Sequence, residues 1–331
     1  HGSLLLGHQH PQVVAAAQAQ LQKGMHFAAA HELEVEWARL ICEMVPSAQR
    51  VRFTSSGTEA THLAMRLARA ASGKEKIIRF QANFHGWHDH VAFGNKDHLD
   101  GTPTPGVLPE LTAGIVLVRI NDMAEVERQL STRNDIGAVM IEPLGTSSGC
   151  VPTSPALLRE LREITRRHGV YLIFDEVVTG FRVAPGGAQE FYGVRADIAT
   201  YGKIIGGGLP FAAIAGNSQW LDALDGGHWQ YGDDSYPEAG VTYFAGTFVR
   251  HPLALAAAHA FVTLDRLAWH SELFGPLLLT EDILAEPLRY ADFHLSVPTG
   301  PGLGIALDED RVAFHRRDRR SPTLHVVAGR G

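Results

Sequence analysis

A single lysine lies within an apolar, glycine-rich stretch, Tyr201-Gly-Lys-Ile-Ile-Gly-Gly-Gly-Leu-Pro210. Burial of an unpaired ammonium is costly and lowers the pKa of a lysine, which suits Lys203 to forming an imine with an aldehyde. Glycine at 202 and at 206–208 lets the backbone approach a flat ligand closely. An exposed lysine in a glycine-rich turn is the alternative that this stretch alone leaves open.

A pair of acids follows an apolar run: residues 170–174 lead into Asp175 and Glu176. An acid at the end of a buried strand serves either Mg²⁺ binding in nucleotide hydrolases or protonation of a pyridine nitrogen, which makes the ring an electron sink. The first chemistry also needs a G-x-x-x-x-G-K-[ST] loop. The nearest segment, 68–75, lacks the first glycine and the hydroxyl. The sequence therefore favours a pyridine ligand at Asp175.

A strand-to-helix turn supplies a third candidate site. Ser56 and Glu59 have the spacing of a capping box, and Gly57 and Thr58 lie between them. Free N–H groups, the helix dipole and hydroxyls together favour an anion such as phosphate at such a turn. A capped helix without a ligand is the alternative. Taken together, the three sites match the phosphate, ring nitrogen and aldehyde of pyridoxal phosphate.

The elements that must position these residues are short apolar strands alternating with helices. Strand-length runs occur at 51–54, 77–80, 115–118, 136–141, 170–174 and 211–215. Helical spacing occurs at 33–45, 124–130 and 156–168, and at Leu63 and Leu67 with the alanines around them. This alternation predicts an α/β fold, with a mostly parallel sheet that has helices on both faces. Ligands of such sheets bind beyond the carboxyl ends of the strands.

Composition excludes several classes of protein. Of 331 residues, 45% are apolar and 20% are charged, and the formal charge is -7, the wrong sign for binding nucleic acid. Cys42 and Cys150 form neither a disulfide framework nor a metal motif, so no metal is expected and a cytoplasmic location is predicted. The most apolar long stretch, 252–264, is too short to span a membrane. No membrane partner is expected.

Several motifs resemble those of the class III pyridoxal-phosphate-dependent aminotransferases, and the glutamate-1-semialdehyde aminomutases are the most similar group. They are Ser55-Ser-Gly-Thr-Glu-Ala60, Phe84-His-Gly-Trp-His-Asp89, Glu142-Pro143, Phe174-Asp-Glu-Val-Val-Thr-Gly-Phe-Arg182, Gly202-Lys-Ile-Ile-Gly-Gly-Gly-Leu-Pro210 and Gly246-Thr-Phe. The resemblance runs in order from about Leu6 to Thr263. It implies fold type I, the cofactor pyridoxal 5'-phosphate, and amino transfer between an amino donor and a keto or aldehyde acceptor.

The resemblance also implies a role for individual residues. Lys203 matches the lysine that forms the internal aldimine and then moves the proton, and Asp175 matches the partner of the pyridine nitrogen. Val177 and Phe84 match the residues on the two ring faces, with phenylalanine in place of the family's common tyrosine. The matches to the phosphate site are Ser56, Gly57, Thr58 and, from the other subunit of a homodimer with shared active sites, Thr247. His85 and Glu142 match near-cofactor positions, and structural packing is the alternative for each.

Three segments depart from the aminomutase pattern. Thr146-Ser147 replaces a Gly-Asn pair, and Arg250-His251 replaces another. The segments 231–237 and 246–254, the second of which contains Arg250-His251, resemble aminotransferase domains of polyketide and nonribosomal-peptide synthases, which act on carrier-bound keto acyl chains. The substrate is therefore expected to be a small or carrier-bound amino or keto compound.

The predicted organisation has three parts. Residues 1–30 form a truncated N-terminal segment, residues 31–265 the large cofactor-binding domain, and residues 266–331 a C-terminal remnant in which the family's small domain is incomplete. Besides amino transfer, two functions stay open. One is an intramolecular aminomutase, and the other is a truncated chain that binds cofactor or a partner without turnover.

Overall fold

The computed structural model describes residues 1–27, 29–145, 147, 153–224, 242–262, 283–291, 294–295, 299–300 and 305–315. The chain divides into two units, His1–Ser271 and Glu272–Gly331. Predictions made for Thr146, Cys150 and the segment 231–237 lie outside the described residues.

A seven-stranded sheet forms the centre of the first unit, in the order β1-β7-β6-β5-β4-β2-β3. Strand β7 is antiparallel to β1 and to β6, and the other neighbours are parallel, which confirms a mostly parallel sheet. The strands are β1 (Arg50–Thr54), β2 (Lys76–Phe80), β3 (Ile115–Val118), β4 (Ile136–Ile141), β5 (Tyr171–Asp175), β6 (Ile198–Tyr201) and β7 (Ala212–Gly216). The apolar runs predict six of these strands and miss β6.

Helices cover both faces of this sheet. In this unit they are α1 (Pro11–Lys23), α2 (Glu32–Met44), α3 (Gly57–Ser72), α4 (Pro109–Thr112), α5 (Met123–Thr132), α6 (Pro155–Arg167), α7 (Gly187–Tyr192), α8 (Ser218–Leu221) and α9 (Pro252–Val262). Because side chains alternate along a strand, Ile77 packs in the core that holds Leu63 of α3, whereas Ile78 packs in the core that holds Leu161 of α6. The α/β arrangement with two covered faces is thus confirmed.

The apolar stretch that begins at Pro252 is helix α9, and it is packed inside the first unit. Leu255 and Ala258 are buried there, and His259 lies 3.5 Å from Glu36 of α2. No helix among the described residues is long and apolar enough to cross a membrane. The cytoplasmic location stays a prediction.

The second unit is described in part. Strands β8 (Tyr290–Ala291) and β9 (His294–Leu295) pair antiparallel, Leu284 forms an antiparallel bridge with Leu307, and helix α10 spans Glu309–His315. The assignment of residues 266–331 to an incomplete small domain stays a prediction.

Candidate active site

The candidate residues lie at strand ends on one edge of the sheet. Strand β5 ends at Asp175, β6 is followed by Gly202 and Lys203, and β1 leads into Ser56, the N-cap of α3. Since β5 and β6 are parallel neighbours, their carboxyl ends lie side by side. This is the edge at which sheets of this kind bind ligands.

Asp175 is a buried acid held by three donors. Its Oδ2 lies 2.7 Å from Nδ1 of His85, and its Oδ1 accepts hydrogen bonds from Oγ1 of Thr200 and from the backbone N–H of Val177, both at 3.1 Å. The exposed fraction is 4% for Asp175 and 1% for His85. Each carboxylate oxygen accepts more than one hydrogen bond, so Oδ2 retains capacity for a further donor.

Glu142 follows β4 and is a second buried acid in the same region. The backbone N–H and the hydroxyl of Ser147 donate to its two carboxylate oxygens, at 3.1 and 2.8 Å. Its own backbone N–H donates to Oδ1 of Asn83 at 2.9 Å. Burial raises the pKa of Glu142, while the charge of His85 lowers it. The buried carboxyl groups of Glu142 and Asp175 both interact with the imidazole of His85.

Lys203 has an unusual backbone and a perturbed ammonium. Its φ of 51° lies in the left-handed region, which costs a non-glycine residue about 1–2 kcal/mol. Burial lowers the pKa of Lys203, whereas the charges of Asp175 and Glu142 raise it and Arg182 lowers it further. Because burial has the largest effect, the pKa of the amine is below its ordinary value, and a larger fraction is neutral and nucleophilic near neutral pH.

The turn before α3 is capped as its sequence suggests, with one difference. The hydroxyl of Ser56 accepts from the backbone N–H of Glu59 at 3.2 Å. The carboxylate of Glu59 reaches past Ser56 to the backbone N–H of Ser55 at 2.7 Å, so the reciprocal bond of a capping box is displaced by one residue. The first N–H groups of α3, at Gly57 and Thr58, have no intrahelical acceptor.

Close backbone contacts bring this turn next to the end of β5, which carries Asp175, and next to Gly202, which precedes Lys203. A Cβ atom at Gly57 would lie 3.0 Å from Cγ1 of Val177, and one at Gly202 would lie 3.1 Å from the same atom. A Cβ atom at Gly86 would lie 2.7 Å from Oγ1 of Thr58. Side chains larger than glycine at these positions would push the turn, the end of β5 and the loop after β2 apart.

Phe84 and His85 occupy neighbouring positions with opposite exposure. Phe84 is 48% exposed, whereas His85 is buried, and the backbone carbonyl of His85 accepts a 2.6 Å bond from Oγ1 of Thr61 in α3. This bond fixes the loop on the first turns of α3. The aromatic face of Phe84 is thereby left accessible at a fixed point of the chain.

Thr247 lies in a different place from the other candidates. It is exposed and lines a cleft of about 210 Å³ together with His26, Phe27, Ala29, Gly246 and Arg250. None of these lining residues is one of the candidates around Asp175 and Lys203. Thr247 thus lines a cleft that shares no lining residue with the candidates around Asp175 and Lys203.

Sequence reasoning missed three contributors to this site: Thr200, Asn83 and Arg182. Thr200 is opposite Asp175 in the β5–β6 ladder, so a prediction of β6 would have found it. Asn83 precedes the Phe84-His85 motif, and Arg182 ends the motif that begins at Phe174, but their types alone do not indicate their partners.

Comparison with known proteins matches this chain to one family. Residues 1–275 match the family model described as aminotransferase class-III. A glutamate-1-semialdehyde 2,1-aminomutase of Salinibacter ruber is 41% identical over 266 residues, which cover 79% of this chain and 58% of that protein. The chain therefore spans less than two thirds of the length of this relative.

Solved structures show the same similarity. An omega-transaminase from Sphaerobacter thermophilus superposes with a TM-score of 0.70 at 36% identity and covers 78% of this chain and 59% of that chain. A glutamate-1-semialdehyde aminomutase from Pseudomonas aeruginosa, in complex with PMP, gives a TM-score of 0.68 at 29% identity and covers 80% and 58% respectively.

Proposed function

Because this chain belongs to the class-III aminotransferase family, we propose that it transfers an amino group between an amino donor and a keto or aldehyde acceptor, with pyridoxal 5'-phosphate bound at Lys203. The observation that carries the proposal is the environment of Lys203. Lys203 is a half-buried amine with a lowered pKa, and it interacts electrostatically with the buried acids Asp175 and Glu142 at the carboxyl edge of the sheet.

The residues present fit this cofactor. Lys203 supplies a nucleophilic amine for an aldehyde, Asp175 supplies a buried oxygen with capacity for a further donor, and the start of α3 supplies backbone N–H groups and hydroxyls for a phosphate. When bound, pyridoxal 5'-phosphate supplies an aldehyde that condenses with amines and a pyridine ring that withdraws electrons from the reacting carbon.

Lys203 holds the cofactor and then moves a proton at its Nζ atom. The lowered pKa keeps a fraction of Nζ neutral, so that it can both attack a carbonyl carbon and accept a proton. Asp175 and Glu142 oppose this effect by favouring the ammonium, which keeps Nζ able to donate a proton as well. An amine that both accepts and donates near neutral pH suits amino transfer.

Asp175 would keep a proton on the ring nitrogen of the bound cofactor, and His85 and Thr200 hold Asp175 in place. The 2.7 Å contact of His85 and the 3.1 Å bond of Thr200 engage different carboxylate oxygens, which prevents rotation of the carboxylate. Val177 and Phe84 would bound the two faces of the ring, and Ser56, Gly57 and Thr58 would bind the phosphate. His85 and Glu142 would lie close to the cofactor, with His85 acting through Asp175.

A half-reaction screen tests the proposed activity. Purified protein is loaded with pyridoxal 5'-phosphate and mixed with single amino donors while its visible absorbance is followed. At least one donor should abolish the absorbance of the cofactor bound to Lys203, and a keto or aldehyde acceptor should restore it. Lys203→Ala should show neither change. If cofactor binds but no donor reacts, the chain binds without turnover and the proposal is wrong.

Intramolecular aminomutase activity is a second candidate, supported by the relative from Salinibacter ruber, which is named as such an enzyme. An aminomutase returns the amino group to the same molecule, whereas an aminotransferase needs an external donor. The two are separated by incubating the protein with glutamate-1-semialdehyde and no donor. Isomerisation under these conditions would favour the aminomutase.

We also propose a homodimer in which Thr247 binds the phosphate of the partner subunit. Thr247 is exposed and lines a cleft that Lys203 does not line, which supports this assignment. If two subunits build each site, inactive Lys203→Ala and inactive Thr247→Ala proteins should regain activity on mixing, since a mixed dimer has one intact site. Subunit exchange without recovered activity would contradict a shared site.

A further inference from the structure

The first residues of the chain contact the loop that carries Lys203. We call residues 2–7 the N-terminal strap. A Cβ atom at Gly2 would lie 3.9 Å from Cδ of Lys203, and one at Gly208 would lie 2.6 Å from Cδ2 of Leu4. Gly7 donates its backbone N–H to the carbonyl of Leu4 at 3.1 Å, and Leu5 is buried. The strap thus lies on both ends of the segment 203–208.

Arg182 links this strap to the turn after β5. Its Nη2 donates to the carbonyl oxygen of Gly2, and its Nε donates to the carbonyl oxygen of Val178 at 2.9 Å. Val178 follows Val177, which contacts Gly57 and Gly202. One half-buried guanidinium therefore connects the strap, the turn that borders the candidate site and the surroundings of Lys203.

The shape of the guanidinium suits this connection. Arginine has five N–H donors in a rigid plane, so it can bind two carbonyl groups that point from different segments. A lysine ammonium is a single point charge on a flexible stem and cannot reproduce this geometry. Gly2 has a φ of 68°, in the left-handed region, so the strap adopts a conformation that glycine permits and other residues resist.

We propose that Arg182 is a positioning residue that holds the N-terminal strap over Lys203 and limits access of solvent to the cofactor bound there. This deepens the proposed function, because it rests on Lys203 as the residue that holds the cofactor. The guanidinium acts on Lys203 through the strap and through its charge, without taking a chemical step. Its removal releases the strap while Asp175 keeps its partners.

Hydrogen–deuterium exchange of the protein without added cofactor tests the first half of this proposal. Arg182→Met should accelerate exchange of the peptide that covers residues 2–7 by roughly tenfold or more, the effect of losing a charge-assisted hydrogen bond. Arg182→Lys should act in the same direction although it keeps the charge. Leu4→Ala should loosen the strap from its other end. The matched control is Arg195→Met, since Arg195 is exposed and lies outside these contacts.

Attack of hydroxylamine on the cofactor bound to Lys203 tests the second half. Arg182→Met and Leu4→Ala should release the cofactor several-fold faster than wild type, and Arg195→Met should not. Unchanged exchange at 2–7 in Arg182→Met, with β5 still protected, would overturn the anchoring role. If Arg182→Met also loses protection in β5, the Leu4→Ala protein provides the test, because it leaves Arg182 in place. Faster exchange of residues 2–7 in Leu4→Ala without faster release of cofactor would show that the strap does not shield Lys203.

Discussion

Replacement of Glu176 by glutamine should change how the stability of the protein depends on pH. Glu176 is fully buried next to Asp175, and its Oε2 accepts from the hydroxyl of Thr179 at 3.0 Å and from the backbone N–H of Ala188. Despite these donors, burial raises its pKa from 4.5 to about 7. At about 1.36 kcal/mol per pKa unit, this difference corresponds to about 3 kcal/mol of unfolding free energy.

The direction in which stability changes with pH follows from the proton that the folded state retains on Glu176. Below pH 4.5 the carboxyl is protonated in both states, and the folded protein bears no cost of a buried charge. As the pH rises from 4.5 through about 7, the unfolded state releases the proton first, so the wild type loses stability. Glutamine never ionises. The stability of Glu176→Gln relative to wild type should therefore increase by about 3 kcal/mol between pH 4 and pH 8.

Urea denaturation of the apoprotein across this range measures the effect, because titrations shared by the two proteins cancel in the difference. Glu160→Gln, at an exposed position on α6, is the control and should keep a constant difference from wild type. Parallel stability curves for Glu176→Gln and wild type would contradict a raised pKa of Glu176 in the folded state. They would mean that the buried carboxyl of Glu176 titrates as in the unfolded chain.

Three other substitutions test the candidate site. Asp175→Asn keeps the acceptor for Thr200 and should retain cofactor, but it should slow amino transfer on the order of a hundredfold or more. A near-normal rate of amino transfer in single-turnover assays would instead assign Asp175 a structural role. Thr58→Ala should weaken cofactor affinity, measured by equilibrium dialysis, while it changes the melting temperature of the apoprotein little. Comparable losses of cofactor-binding free energy and of apoprotein stability would favour a plain helix cap. Lys203→Gly should be more stable than Lys203→Ala by about 1 kcal/mol in urea, because φ is 51° there; equal stabilities would contradict a left-handed Lys203.

The sheet was predictable because its strands are apolar on both faces. Runs such as Ile136–Ile141 are buried throughout, so they stand out from the amphipathic helices between them. Strand β6 was missed because Thr200 interrupts its apolar residues, and the hydroxyl of Thr200 is satisfied by Asp175 rather than by solvent. That partner comes from a neighbouring strand, which local sequence does not reveal.

The candidate site was predictable in residue type and less so in contacts. The chemistry of Lys203 could be inferred from its apolar, glycine-rich surroundings, and that of Asp175 and Ser56 from their positions at a strand end and a helix start. The link of Arg182 to Gly2 joins residues that are 180 positions apart, and no local pattern indicates it. The same holds for the contact of His85 with Asp175, across 90 positions.

The identity of the residue that binds the cofactor tests the proposed function most directly. Protein loaded with pyridoxal 5'-phosphate is reduced with borohydride, digested, and mapped by mass spectrometry. We expect one modified peptide, with the cofactor attached to Lys203, and no modification in the Lys203→Ala protein. Attachment to Lys74 or Lys76, or the absence of any stable adduct in wild type, would contradict the central claim.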